Sequence, residues 1–333
     1  MKYRFLGNTG VQVSELGFGT MTFGSEADEA MSRKLFYRCR DAGINLFDCA
    51  NIYGNDRDGD SEKILGKLIQ DCRDELIITT KVGTPRWGTH NDGGLSRRYI
   101  MIEVEKSLKR LNTDRIDIYF IHKLDKNTPM EETLRAFDDL QRQGKILYPA
   151  ISNAAAWQIA LALGISERES LARFSCIEPM YNLVKRQAEV EILPLAQDQN
   201  LGVISYSPLA AGLLTGKYSG KNRDAEGRIN KSERYKGRYS DKSNFETAEA
   251  FTSYAKKKGL SPVALAIAWV KSHPAVTAPL IGARNMEQLE SSLEAVDIDM
   301  DEDWRKEISA LSVEPASATD RTEEKLNPSI IGH

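Results

Sequence analysis

The segment SRRYIMIEVEKSLKRLNTDRIDIYFIH, residues 96–122, contains an amphipathic helix followed by an apolar strand. Ser96 is a suitable N-cap for the helix. Apolar residues that share one helical face follow it at regular spacing: Ile100, Val104, Leu108 and Leu111. The run RIDIYFIH (115–122) is short and rich in β-branched and aromatic residues, which favours a buried strand. This order is typical of parallel strands joined by helices.

The same alternation of short apolar runs and longer amphipathic stretches continues along the chain. Eight runs predict strands: ELGFGT (15–20), INLFD (44–48), ELIITTK (75–81), RIDIYFIH (115–122), ILYPAIS (146–152), FSCIEP (174–179), GVISYS (202–207) and TAPLIG (277–282). Eight such units favour an α/β fold of the (β/α)8 TIM-barrel type over a doubly wound sheet, because no GxGxxG turn follows the first strand. The segment YRFLGNTGVQVSEL (3–16) predicts an N-terminal β-hairpin that closes one end of the barrel.

The length agrees with one domain. Barrels of this kind commonly use about 250 residues or more, so we expect residues 1–333 to form a single barrel domain. Two segments interrupt the alternation after strands, 83–95 and 208–240, and we expect both to be irregular. A polar tail covers about 313–333 and is expected at the surface.

Composition argues against several classes of protein. The chain has 45 Lys and Arg against 48 Asp and Glu, without long blocks of one sign, so we expect neither nucleic-acid nor membrane-surface binding. Its longest apolar run, VALAIAWV (263–270), is far shorter than the roughly 20 residues that span a bilayer, and MKYRFLGNTG (1–10) lacks a signal-peptide core. The four cysteines have no metal-binding spacing. We therefore expect reduced thiols, no metal and a cytoplasmic location.

Polar residues end three consecutive predicted strands: Asp48, Lys81 and His122. Tyr53 follows Asp48 by five residues, and all four could meet at the barrel face where strand carboxyl ends converge. The ammonium of Lys81 could stabilise a Tyr53 phenolate, Asp48 could hold the lysine, and His122 could hydrogen-bond to a carbonyl oxygen. Such a set predicts carbonyl reduction or oxidation. Taken singly, these residues could instead be a turn aspartate, a packed tyrosine, a surface lysine and a core histidine.

Several longer segments carry a family resemblance. They are GFGTMTFG (17–24), NLFDCANIYG (45–54), TTKVG (79–83), SLKRLNTDRIDIYFIHKLD (107–125), ISN (151–153), SYSPLAAGLLTGKY (205–218) and IGARNMEQLE (281–290). In this order they resemble the aldo-keto reductases from the hairpin to about residue 296. The resemblance implies a (β/α)8 barrel that binds NADPH or NADP+ across its carboxyl face without a Rossmann motif, and a tetrad with Tyr53 as proton donor: Asp48, Tyr53, Lys81 and His122.

The resemblance also implies cofactor contacts, region by region. The nicotinamide would meet Ser152, Asn153, Glu178 and Tyr206. The adjoining ribose would lie on Gly19, Thr20 and Met21. The pyrophosphate would be held by Ser207, Leu209, Gly212 and Lys217. The adenosine end, with its 2′-phosphate, would meet Gly282, Arg284 and Gln288. Alternatively, SPLAAG (207–212) could be a tight strand exit, and Arg284 a surface arginine beside a helix N-terminus.

Two positions depart from the family pattern. Glu178 stands where related chains usually carry glutamine, which donates as well as accepts hydrogen bonds. We expect Glu178 to be ionised, because an oxidised nicotinamide would compensate its charge. Ser291 and Ser292 stand where related chains often carry Glu and Asn, so the resemblance does not fix the adenine contacts.

The function expected from these features is NADPH-dependent reduction of small aldehydes or ketones, with Phe23 and Trp87 as substrate-pocket walls or merely as packed loop residues. A second possibility is a nucleotide-sensing regulatory subunit, as in channel-associated members of the family. Those members replace the tetrad histidine, so His122 favours the enzyme. A third is a dehydrogenase or epimerising oxidoreductase on a sugar or polyol. The sequence leaves open the substrate, the favoured direction and whether the chain forms a homo-oligomer.

Overall fold

The fold is a closed barrel of eight parallel strands. It is seen in a computed structural model that describes residues 1–55, 58–86, 88–218 and 227–319. The barrel strands are β3 (Gly17–Gly19), β4 (Leu46–Asp48), β5 (Ile77–Val82), β6 (Ile116–Ile121), β7 (Ile146–Ser152), β8 (Cys176–Glu178), β9 (Gly202–Ser205) and β10 (Ala278–Ile281). Each pairs in parallel with the next, and β10 pairs with β3 to close the ring. The predicted (β/α)8 barrel is confirmed.

Helices surround the strands and cover their outer side. They are α1 (Glu29–Asp41), α2 (Asp60–Leu68), α3 (Arg97–Leu111), α4 (Met130–Arg142), α5 (Ala156–Glu169), α6 (Ile192–Asp198), α7 (Arg228–Lys231), α8 (Glu233–Tyr239), α9 (Lys242–Lys257), α10 (Pro262–Lys271), α11 (Met286–Leu293) and α12 (Glu302–Ser309). Within the described residues, no helix combines the length and apolar character needed to cross a bilayer.

Helix α3 shows how the sequence pattern positions these elements. The Ser96 side chain accepts a hydrogen bond from the Tyr99 amide, which caps the helix start. Asn112 ends the helix in the left-handed conformation, with φ of 49°. The apolar face is buried against the barrel as predicted, through Ile100, Val104, Leu108 and Leu111. Burial of each such side chain stabilises the fold by about 1.5–3 kcal/mol.

The N-terminal hairpin closes the end of the barrel opposite the strand carboxyl ends. Strands β1 (Tyr3–Phe5) and β2 (Gln12–Ser14) pair antiparallel, which confirms the predicted hairpin. Leu6 and Val13 are fully buried among the apolar side chains of the barrel interior, such as Ile118. The hairpin therefore completes the interior core and leaves the other end of the barrel for chemistry.

The two segments expected to be irregular differ from each other. The described part of 83–95 contains no helix or strand, and Arg86 ties it to Asp58 and Glu103. The described part of 208–240 contains a 3-10 helix, Ala210–Thr215, and the short helices α7 and α8. The expectation that 208–240 is irregular was thus wrong for these helical stretches. Each of these helices is too short to show an apolar periodicity in the sequence. The tail expected at 313–333 is described only as far as residue 319.

Candidate active site

A cavity of about 460 Å³ opens at the carboxyl ends of the barrel strands. It is lined by residues that follow the first strands, including Asp48, Tyr53 and His122, and by residues that follow the last ones, including Lys217 and Arg284. Active sites of such barrels lie at this face. The cavity thus has one group of residues with acid–base character and another that is strongly basic.

Lys81 is the buried cation of the first group. It is the penultimate residue of β5 and has no solvent exposure, and its ammonium contacts the Asp48 carboxylate and donates to the Cys49 carbonyl at 2.9 Å. Its Nζ also lies 3.3 Å from Oε2 of Glu178. Thr79 donates a hydrogen bond to the same Asp48 oxygen that Lys81 contacts. Burial of a charge requires such pairing, so Lys81 is held between the Asp48 carboxylate and the Glu178 carboxyl group.

Tyr53 and His122 complete the four predicted residues, and the structure brings all four together. The ammonium of Lys81 is 5.3 Å from the centroid of the Tyr53 ring. The rings of Tyr53 and His122 meet edge to face, with centroids 6.0 Å apart. A carbonyl oxygen placed in the cavity beside these two rings could contact both polar side chains.

The electrostatic setting keeps both rings neutral near pH 7. Burial, together with the positive charges of Lys81 and Arg234, lowers the pKa of His122 to about 3. Burial raises the pKa of Tyr53 although Lys81 opposes this shift. Burial disfavours the charged form of Lys81, yet Asp48 and Glu178 outweigh it and raise the lysine pKa. The arrangement therefore offers a protonated phenol beside a permanent cation.

Glu178 lies in the same buried cluster, and its ionisation beside an oxidised nicotinamide stays a prediction. Burial raises its pKa to about 8, with Asp48 adding to the shift and Lys81 opposing it. Among the described residues, Oε2 of Glu178 accepts no hydrogen bond of standard geometry, although the Lys81 ammonium lies 3.3 Å away. The side chain lines the cavity. It is thus largely protonated at pH 7 without a ligand and available to a polar group there.

The residues expected at the nicotinamide are linked by hydrogen bonds. The Asn153 amide donates to the His122 carbonyl at 2.9 Å and accepts from the Tyr206 hydroxyl at 2.7 Å. Ser152 is buried, and its hydroxyl donates to the Glu178 carbonyl at 3.0 Å. Asn153, Tyr206 and Glu178 line the cavity, whereas Ser152 supports them from behind.

The turn after β9 lines the basic part of the cavity. It changes direction through residues with positive φ: Ser207, Ala210, Ala211 and Gly212. At Gly212, with φ of 90°, a Cβ would lie 2.6 Å from the Lys217 ammonium, so glycine lets the lysine pack against the turn. Ser207 and Leu209 also line the cavity, as expected for a pyrophosphate site.

The first and last barrel loops form the opposite wall. Gly19 and Met21 line the cavity, and a Cβ on Gly282 would lie 3.7 Å from the Gly19 carbonyl oxygen. Thr20 is buried, and its hydroxyl donates to the Asp48 carbonyl at 2.9 Å. Thr20 therefore holds the loop, while the two glycines leave an open surface for a ligand.

Three cations converge at the far side of the cavity. Burial lowers the pKa of Lys217, and the charges of Arg284 and Arg228 lower it further, which places the three groups near one another. Arg228 also pairs with Glu26. A cluster of cations favours an anionic ligand. Arg284 precedes α11, where its backbone amide donates to the Gln288 side chain at 3.2 Å.

The sequence matches a known protein family: a family model described as Aldo/keto reductase family matches residues 15–313. The chain belongs to this family.

Relatives agree with that assignment. This aldo/keto reductase is 36% identical to the "Uncharacterized oxidoreductase YrpG" of Bacillus subtilis (strain 168), with 96% of this chain and 98% of that protein covered. It is 36% identical to a "Probable voltage-gated potassium channel subunit beta" of Oryza sativa subsp. japonica, covering 90% and 92%. It is 35% identical to the "L-glyceraldehyde 3-phosphate reductase" of Escherichia coli (strain K12), covering 89% and 88%. The reductase is thus an oxidoreductase, and carbonyl reduction is its general chemistry.

The expected substrate-pocket walls of this aldo/keto reductase have different outcomes. Phe23 is fully buried and packs on Phe18, with ring centroids 5.7 Å apart. It belongs to the outer core and is not among the described residues that line the cavity, which corrects the expectation. The loop turns this apolar side chain inward because burial stabilises it. Trp87 lies outside the described residues.

Sequence reasoning missed several cavity residues of the reductase, among them three on α8. Arg234, Tyr235 and Arg238 reach the cavity from α8, inside a segment expected to be irregular. The sequence signal for these residues was a pair of arginines four positions apart with a tyrosine between them. Ser291 and Ser292, which replace the usual family residues, also line the cavity. The Ser292 hydroxyl donates to the Gln288 carbonyl at 2.9 Å.

Proposed function

We propose that this protein reduces small aldehydes or ketones to alcohols with NADPH, and that Tyr53 provides the proton. The observation that carries the proposal is the buried Lys81, fixed by Asp48 and facing the Tyr53 ring beside a neutral His122 in one cavity. A neutral phenol beside a fixed cation is suited to give up a proton to an oxygen that gains negative charge.

The basic side of the cavity supports NADPH as the cofactor. Lys217, Arg228 and Arg284 form a cationic cluster of the kind that phosphate groups require. Asn153 and Glu178 offer polar atoms near the tetrad for a carboxamide. When bound there, NADPH supplies the hydride for the carbonyl carbon.

The chain's own residues then divide the remaining work. His122 donates a hydrogen bond that orients the carbonyl oxygen. Because its imidazole is neutral, His122 does not compete with Tyr53 as the proton donor. Tyr53 transfers its proton to that oxygen. Lys81 stabilises the phenolate that remains, and Asp48 keeps the ammonium charged and in place. Water then returns a proton to Tyr53.

The first test replaces the proton donor. Tyr53→Phe removes one hydroxyl from the cavity and should lower single-turnover reduction of a reactive aldehyde by about 100-fold or more. NADPH binding, followed by its fluorescence, should remain nearly unchanged. Tyr148→Phe is a matched control, because the Tyr148 hydroxyl donates to the Thr9 carbonyl at the hairpin. A Tyr53→Phe protein that keeps more than about a tenth of the wild-type rate contradicts the assignment.

A second candidate function is a nucleotide-sensing regulatory subunit. The observation in its favour is the 36% identity to a protein named as a probable voltage-gated potassium channel beta subunit. The same mixing experiment separates the candidates. Prompt loss of reduced-nicotinamide absorbance supports the reductase, whereas stable bound NADPH with every carbonyl tested supports the sensor.

A further inference from the structure

Helix α8 holds two arginines over the candidate active site. Arg234 and Arg238 line the cavity on either side of Tyr235, and Arg238 lies 5.6 Å from the centroid of the Tyr235 ring. Arg234 is exposed and Arg238 is half-buried, so both guanidinium groups belong to residues that solvent and solutes can reach. The tetrad mechanism uses neither of them.

The last residue of α8 fixes its position beside the strand ends. Tyr239 is fully buried, and its hydroxyl accepts a hydrogen bond from the Asn182 side chain at 3.4 Å. Asn182 also donates to the Ser207 carbonyl at 3.0 Å. Since Asn182 follows β8 and Ser207 follows β9, α8 is attached directly to the loops that form the cavity.

Electrostatic effects place the arginines near the reacting side chains. Besides burial and Lys81, the charge of Arg234 lowers the pKa of His122. Burial raises the pKa of Tyr206 to about 12, and the charges of Arg238 and Arg234 oppose that shift. Both arginines line the cavity with these residues, and because Coulomb interactions weaken with distance, Arg234 lies near His122 and both arginines lie near Tyr206.

The two arginines also have no carboxylate partner among the residues that the structure describes. Within the described ranges, neither Arg234 nor Arg238 forms an ion pair, whereas the neighbouring Lys236 lies 3.7 Å from Glu233. The phosphates of the proposed cofactor already have a separate cluster of three cations around Lys217. Two positive charges therefore remain beside the reacting end of the cavity.

We propose that Arg234 and Arg238 bind an anionic group on the substrate, so that the preferred substrates are short carbonyl compounds bearing a phosphate or a carboxylate. A guanidinium group matches the geometry of both anions and forms paired, charge-assisted hydrogen bonds with them. The inference rests on the proposed reductase function, because it names the substrate class of the same cavity.

The test compares matched charged and neutral substrates. Wild type and the Arg234→Gln/Arg238→Gln double variant are assayed with glyceraldehyde 3-phosphate against glyceraldehyde, and with succinic semialdehyde against butanal. In wild type, kcat/KM should favour at least one charged partner. In the variant, that preference should fall by roughly tenfold or more, while neutral substrates keep their rates. The first pair reports a phosphate preference and the second a carboxylate preference.

Two further measurements protect the conclusion. Lys236 lies on the same helix but is not among the described residues that line the cavity. Lys236→Gln should therefore leave the preference for charged substrates unchanged. Binding of glycerol 3-phosphate against glycerol to the protein with NADP+ should show the same dependence on Arg234 and Arg238. Because this readout needs no turnover, it tests the anion site even if the reductase function fails.

Three outcomes would overturn the inference. An equal loss of kcat/KM with charged and neutral substrates would show that α8 only packs over the cavity and does not bind an anion. A loss of NADPH affinity with an unchanged substrate preference would assign both arginines to the cofactor. A wild type that shows no preference for either charged partner and does not bind glycerol 3-phosphate would remove the anion site altogether. Failure of every carbonyl, with glycerol 3-phosphate still bound, would instead contradict the reductase function alone.

Discussion

Lys81 lies between Asp48 and Glu178, and all three side chains are almost completely buried. One ammonium cannot neutralise two ionised carboxylates, so the cluster would carry a net negative charge if both were deprotonated. The protein relieves this by raising the pKa of Glu178 to about 8, with burial as the main cause. The charge of the site therefore depends on the protonation of Glu178.

At the residue scale, this arrangement predicts that pH controls the preference between oxidised and reduced cofactor. The positive charge of an oxidised nicotinamide should lower the pKa of Glu178, so NADP+ binding should release a proton where NADPH binding does not. The affinity for NADP+ relative to NADPH should therefore rise as pH increases towards about 8 and level off above it. The change is about tenfold for each unit by which the ring lowers that pKa.

The measurement is a pair of dissociation constants, for NADP+ and NADPH, at about pH 6.5 and about pH 9. The 2′-phosphate titrates in both cofactor forms and cancels in their ratio. Glu178→Gln keeps the shape of the side chain and should make the ratio independent of pH. A wild-type ratio that does not change with pH would show that Glu178 does not respond to the nicotinamide.

Individual side chains were predictable where position along a strand determines them. Asp48, Lys81 and His122 lie at or next to the carboxyl ends of neighbouring strands, so a barrel topology brings them together. The contact between Lys81 and Glu178 was not predictable, because it depends on how far a lysine extends across the barrel interior. The burial of Phe23 was missed for a similar reason, since only tertiary packing decides which way a loop side chain turns.

At the scale of elements, the hairpin offers a comparison between two glycines. Gly7 and Gly10 both have positive φ, 51° and 73°. A Cβ on Gly7 would lie 2.5 Å from the Asn200 carbonyl oxygen and from the Gly202 amide, whereas a Cβ on Gly10 meets nothing within 4 Å. Gly7→Ala should therefore destabilise the protein by about 2–4 kcal/mol, and Gly10→Ala by about 1 kcal/mol.

Urea unfolding of the two variants measures this difference. Both should keep wild-type turnover in the folded state, because the hairpin closes the end of the barrel opposite the cavity. Equal free energies of unfolding for the two variants would mean that the contact between hairpin and barrel wall is looser than the structure shows.

The barrel strands were predicted well, and the short helices after β9 were not. Each predicted strand overlaps an observed one, because runs of β-branched and aromatic residues are buried on both faces of a parallel barrel. Helix α8 spans only seven residues and is rich in charge. It has too few turns to show an apolar period, and burial of Tyr239 against neighbouring loops fixes it instead. Such tertiary anchoring leaves little trace in a local pattern.

At the scale of the whole molecule, the two ends of the barrel have separate roles. The hairpin end is filled with apolar side chains and stabilises the ring of strands. The other end carries an acid–base cluster on the loops after β4 to β6 and cations on the loops after β9 and β10. Because these loops are distant in sequence, the sequence predicts the fold from local repeats, whereas the charge distribution of the cavity emerges only when the barrel closes.

This distribution predicts how the protein distinguishes NADPH from NADH. Arg284 is exposed at the cavity edge and can pair with a 2′-phosphate that NADH lacks. Arg284→Ala should weaken NADPH binding by roughly tenfold or more and leave NADH binding nearly unchanged, as expected for one lost charge-assisted contact. Arg33→Ala on α1 is the matched control, because that exposed guanidinium lies 5.8 Å from the Tyr37 ring and not at the described cavity lining. Dissociation constants for both cofactors decide the matter. If the NADPH preference survives in Arg284→Ala, then Lys217 or Arg228 contacts the 2′-phosphate, and the same measurement on Arg228→Ala would show the loss instead.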